Sequence, residues 1–135
     1  MSDIKVPTTR IGSSPTASLT PRYWHHGTSF EAVKAMLFSG GGKMTCGWLT
    51  SDPNYSHRFV IDVRLTFDFS NRPEAMDEYL SLHADPYWPV AVRKPIPLTY
   101  LSRDTKDMIL LRLEKTLVGP QKEARLDQAR KALFS

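Results

Sequence analysis

Histidine, glycine and a hydroxyl residue stand side by side at His26-Gly27-Thr28, inside the stretch YWHHGTSF that covers residues 23–30. An imidazole can donate or accept a hydrogen bond, and a glycine lets a ligand approach backbone N–H and C=O because no Cβ intervenes. Two readings are open. In one, Gly27 makes a turn and both histidines are ordinary strand residues. In the other, His26-Gly27-Thr28 forms the edge of a nucleotide-binding cleft. About twenty residues on, Gly47-Trp48-Leu49-Thr50 sets a second glycine beside a large aromatic. His25 faces away from His26 on any strand, so it is assigned no role. No His/Cys/Asp/Glu cluster has metal-ligand spacing, and neither a Walker loop nor a GxGxxG loop occurs. The Gly40-Gly41-Gly42 run lacks the lysine-hydroxyl ending of a phosphate loop, since Lys43 is followed by Met44.

These residues have to be positioned by elements that the periodicity of the chain defines. Residues 1–20, rich in Ser, Thr and Pro without periodicity, read as a flexible N-terminal arm, and residues 21–135 as a single domain. A short strand is expected over residues 22–26. Thr28 and Glu31 have the T-x-x-E form of a capping box, in which each side chain satisfies the other's free backbone donor. Phe30, Val33, Met36 and Leu37 then recur at helical spacing, and the glycines at 40–42 end the helix by taking the left-handed conformation. Gly47-Trp48-Leu49-Thr50 reads as a short strand. Asp52-Pro53 starts a short helix, with Asp52 as N-cap and Pro53 at the first helical position; Tyr55 and Phe59 follow on it.

Strict alternation comes next. Phe59, Ile61, Val63, Leu65, Phe67 and Phe69 share one face, while Asp62, Arg64, Thr66 and Asp68 share the other, which specifies a strand with one side on the core. Residues 71–74 open a helix carrying Met76, Tyr79, Leu80 and Leu82. Residues 87–96 are extended but broken by Pro89 and Pro95. Beyond Asp104, Ile109, Leu110, Leu113 and Leu117 form a helical stripe. Gly119-Pro120 interrupts it, and Leu126, Ala129 and Leu133 make a weaker one.

Bulk properties narrow the classes. A chain of 135 residues holds one modest core. No apolar run approaches the roughly 18 residues needed to cross a bilayer, and the first residues lack the apolar region of a secretory signal. The single cysteine, Cys46, excludes an internal disulfide and fits a reducing compartment; it is expected to be a small buried residue rather than a nucleophile. A cytoplasmic location follows as an expectation. The net charge of +4 is too mild to name nucleic acid as a partner. The basic residues of the tail, Lys106, Arg112, Lys115, Lys122, Arg125, Arg130 and Lys131, keep that partner open against the plainer reading of a solvated helical face.

In order and spacing, YWHHGTSFEAVKAML followed by GGGKMTCGWLTSDPNYS resembles the NAD-binding half of ADP-ribosyltransferases of the diphtheria-toxin and poly(ADP-ribose) polymerase type. The similarity spans about residues 22–60 and continues loosely at Val90-Ala91-Val92-Arg93-Lys94-Pro95-Ile96-Pro97. It implies an α+β fold of the ADP-ribosyltransferase type, with a split central β-structure, flanking helices and added C-terminal helices. It also implies NAD as substrate, without a metal, and mono-ADP-ribosyl transfer to a macromolecular acceptor, in most cases a protein, as in toxins and effectors that work in a host cytoplasm. By the same resemblance His26 holds the adenosine-side ribose and serves catalysis. Gly27 meets the nicotinamide carboxamide, and Trp48 with Tyr55 (or Phe59) sandwiches the nicotinamide ring, a cationic ring favoured against an aromatic quadrupole. Thr28 and Thr50 add minor polar contacts, and His26 and Trp48 are expected to line one cleft. One departure stands out: the glutamate usual on the late strand is missing, and Asp85 is the nearest carboxylate for its catalytic place. Glu74 and Glu78 read as solvated helix charges. The alternative is therefore a catalytically inactive binding module on the same fold, gripping a protein or nucleic acid.

Overall fold

The computed structural model describes residues 21–54, 62–83 and 88–135. It is a mixed α+β arrangement built from small antiparallel sheets and helices. The longest ribbon pairs β1, Tyr23–Thr28, with β4, Val63–Asp68. Trp24 lies opposite Phe67, His26 opposite Leu65 and Thr28 opposite Val63. Trp24, Phe67, Leu65 and Val63 are all buried, so this is the core face. The alternation expected along β4 is present over its six residues, buried at odd positions and half-buried at even ones. Phe59 and Ile61 lie outside the described residues.

Between these strands come α1, Phe30–Phe38, then β2, Lys43–Met44, and β3, Trp48–Leu49. After β4 the chain forms α2, Ala75–Tyr79, then β5, Val90–Ala91, and β6, Ile96–Pro97. β2 pairs with β6 and β3 with β5, both antiparallel. A 3-10 turn, Leu98–Tyr100, leads into α3, Arg103–Thr116, and the chain ends on α4, Lys122–Phe134.

α1 starts one residue later than the expected capping box. Ser29 is the N-cap, its hydroxyl accepting from the Ala32 N–H at 3.1 Å. Thr28 cannot serve, because it remains paired with Val63 as the last residue of β1. Glu31 instead pairs with Lys34 at 2.8 Å. The helix stops as read: Gly41 and Gly42 take φ of 70° and 75°, and the Gly42 N–H reaches back to the Met36 carbonyl.

Phe30, Val33 and Leu37 face the core, as do Ile109 and Leu113 of α3. The stripe of α4 is equally buried, with Leu126, Ala129 and Leu133 at 2% exposure or less, since α4 packs on α1, α3 and the 3-10 turn. Leu82, expected on the apolar side of α2, is exposed beyond the helix end. Cys46 is also exposed, contrary to expectation, because it sits in the connection between β2 and β3. No helix among the described residues is long and apolar enough to cross a membrane.

Candidate functional site

The two sequence patches meet across the free edge of β1. The His25 N–H donates to the Thr50 carbonyl at 2.8 Å, and the Thr50 N–H donates back to the His25 carbonyl at 3.0 Å. In an antiparallel ladder such doubly bonded pairs recur every second residue, so the next would be Gly27 with Trp48. Among the described residues that pair is not made. The Trp48 carbonyl accepts instead from His26 Nδ1 at 2.8 Å. The ladder therefore opens at Gly27, whose N–H and C=O alternate with those of His26 and point to the β3 side.

Gly47 explains how the strands part. Its φ is 132°, a conformation that side-chain-bearing residues rarely adopt, and the His26 ring lies against it. A Cβ at this position would stand 2.9 Å from His26 Cε1 and 2.9 Å from Met44 Cε. The imidazole thus occupies space that only glycine leaves free. With its Nδ1–H donating to Trp48, a neutral His26 keeps Nε2 as an acceptor.

The expectation that His26 and Trp48 line one cleft with their side chains does not hold, for a reason of strand alternation. His26 shares the core face with Leu65, and the neighbouring Leu49 is buried on that side too. Trp48 falls with Thr50 and Gly27 on the other face, its indole 63% exposed. The two residues touch through ring and carbonyl only. Gly27 and Trp48 are the predicted pair that the fold does bring together on one face. Thr50 is buried, and its hydroxyl accepts from the Asp52 N–H at 3.1 Å, holding the strand-to-helix turn. Asp52 caps that turn as expected, accepting from the Asn54 N–H at 2.9 Å. Thr28 is half-buried at the end of β1. Tyr55 and Asp85 lie outside the described residues.

Two residues without an assigned role prove to be structural neighbours of the site. His25 Nδ1 meets Thr66 Oγ1 at 2.9 Å on the non-core face of the ribbon. Burial pushes its imidazole pKa down, Arg64 adds to the shift, and Asp52 opposes it. Asp62 receives a two-point hydrogen bond from Arg112, at 3.0 and 2.8 Å, and accepts from the Phe30 N–H at 3.2 Å. The Arg112 guanidinium holds the Asp62 carboxyl below the usual carboxylate range and lies 4.3 Å above the centroid of Phe30. Arg112 thereby joins α3 to the start of α1. Pairing of residues fifty apart leaves no local signal, so no sequence pattern marks it.

The late stretch shows no carboxylate of its own over residues 90–97. Glu74 and Glu78 are exposed and paired with Arg72 at 3.2 Å and Lys94 at 2.8 Å, as solvated helix charges should be. Among the described residues no group of three or more His, Cys, Asp or Glu is placed to hold a metal ion. Comparison of the chain with family models, with curated proteins and with solved structures finds no match. The chemistry of the opened edge has to be read from its own atoms. It offers one donor, one acceptor and one exposed aromatic face, a set that suits a planar ring bearing a carboxamide.

Proposed function

We propose that the domain is an ADP-ribosyltransferase-like module that binds NAD at the Gly27–Trp48 edge and transfers ADP-ribose to a macromolecular acceptor, most simply a protein. One observation carries this reading: the ladder between β1 and β3 opens at Gly27, next to the exposed indole of Trp48. A carboxamide needs an acceptor for its N–H and a donor for its oxygen, and an unpaired strand residue supplies both at ladder spacing. The indole supplies a face for the cationic ring. His26, bonded through Nδ1 to the Trp48 carbonyl, holds the opened edge in shape from the core side. Leaving-group departure passes through a cationic sugar, so positioning of both halves of NAD is the main task of the site.

A binding module without transfer is the second reading. The lack of a carboxylate over residues 90–97, with Glu74 and Glu78 committed to cations, favours it. Calorimetry with NAD, followed by incubation with labelled NAD and a cell lysate, separates the possibilities. Binding should weaken in Trp48→Ala by roughly 1–3 kcal/mol, the scale of a lost aromatic stack. Label reaching a macromolecule in the wild type and not in His26→Ala supports transfer. NAD binding without transfer or nicotinamide release selects the binding module. Absence of NAD binding removes the transferase reading and leaves a module that grips a protein or nucleic acid.

A further inference from the structure

A second cleft lies at the other end of the β1–β4 ribbon. Its walls are Asp68, Asn71 and Arg72 on one side and Tyr100, Arg103 and Lys106 on the other, around about 460 Å³. Asp68 pairs with Tyr23, whereas Gly27 pairs with Arg64. Four residues of strand, roughly 13 Å at ~3.3 Å per residue, therefore separate this cleft from the opened edge.

The cations of the cleft are held in place rather than spread over the surface. Arg72 donates to Tyr100 Oη at 2.8 Å, and the Tyr100 ring packs against Phe69 and Tyr79. The Tyr100 hydroxyl accepts there, so its own proton remains for a further acceptor. Arg103 and Lys106, one turn apart on α3, both lie over the ring of Phe134, at 5.4 and 4.9 Å from its centroid. Two like charges on one ring repel each other. Arg103 has Asp107 at 3.0 Å and Arg72 has Glu74 at 3.2 Å. Lys106 has no carboxylate partner among the described residues, and both burial and Arg103 lower its pKa. Asp68 is the single carboxylate lining the cleft, and it accepts from the Ser70 N–H at 2.9 Å. Arg72 and Arg103 each share their charge with a carboxylate outside the lining, so Lys106, beside the Tyr100 hydroxyl, is the cation of this concave surface that is left for a ligand among the described residues.

We propose that this cleft binds a phosphate group, carried either by a nucleotide or by the end of a nucleic-acid strand. A tetrahedral anion there would relieve the repulsion between Arg103 and Lys106 and take the Tyr100 proton as a hydrogen bond. The site is independent of the Gly27–Trp48 edge, and its test uses probes that contain no nicotinamide. Calorimetry at low salt with pyrophosphate, with ADP, and with a 5′-phosphorylated hexanucleotide beside its unphosphorylated counterpart reads it directly. At least one phosphate-bearing probe should bind, about tenfold or more weakly in Lys106→Gln and in Arg103→Gln, and nearly as well in Lys106→Arg. Binding of ADP or pyrophosphate identifies a nucleotide as the source. Binding of the phosphorylated oligomer alone identifies a nucleic-acid end. Arg103 is exposed and Lys106 half-buried, and an unchanged thermal midpoint checks that each variant is folded. The proposal is overturned if no probe binds the wild type, or if both Gln variants bind as the wild type does.

Discussion

Gly47 and His26 form a small mechanical unit, and its strength can be measured. At φ 132° and with 2.9 Å to both His26 Cε1 and Met44 Cε, an added methyl group must distort the backbone or displace the ring. Whatever room the ends of the His26 and Met44 side chains can make, a side chain at φ 132° is strained. Gly47→Ala should therefore cost roughly 1–3 kcal/mol, the scale of a disfavoured backbone conformation. Urea unfolding of the two proteins measures it, and an unchanged midpoint would mean that the strand connection relaxes freely. His25 gives a second test through pH. Its pKa is lowered in the fold by burial and by Arg64, against Asp52 and beside Thr66. Below its ordinary value of 6.5 the unfolded chain takes up a proton that the folded chain refuses. Stability from this residue is then fully present above pH 6.5 and falls as pH drops from there towards the lower folded pKa. Denaturation midpoints between pH 7.5 and 5 should decline less steeply in His25→Gln than in the wild type. Equal slopes would show that His25 is not the group responsible.

At the scale of elements, the C-terminal helix carries more of the fold than its sequence indicates. The hydrophobic stripe of α4 is short and widely spaced, yet its three apolar positions are buried against α1, α3 and the 3-10 turn. Ala132 comes so close to Gly42 that a Cβ on that glycine would be 3.2 Å away, which ties the helix to the turn after α1. Leu133 has no exposed surface. Leu133→Ala should destabilise the domain by about 2–5 kcal/mol, the range for emptying a buried leucine site. A loss below 1 kcal/mol in chemical denaturation would show that α4 docks only loosely. The strands are legible for the opposite reason: β4 announces itself by alternation because both its faces are fixed by local pattern. α1 is legible too, except at its first residue. Thr28 and Ser29 can both cap a helix, and the choice belongs to β4, which retains Thr28 in the ribbon.

Across the whole molecule, several cations of the C-terminal helices have neighbours within the fold. Arg112 holds Asp62, Arg130 holds Asp127, Arg125 lies over Phe38, and Lys106 lies over Phe134. Arg72, Arg103 and Lys106 meet at one cleft. Arg72 and Arg103 precede the basic residues of the tail in the chain. The sequence by itself determined the α+β class, the faces of the longer elements and the residue types at the candidate edge, because these follow from periodicity and from single-residue chemistry. Only the tertiary structure decided that His26 turns its ring to Gly47, that Trp48 stands on the Gly27 face, and that the ladder opens between them. Those facts depend on how β3 docks against β1 over twenty intervening residues, and no local pattern encodes a hydrogen bond that a distant strand fails to make.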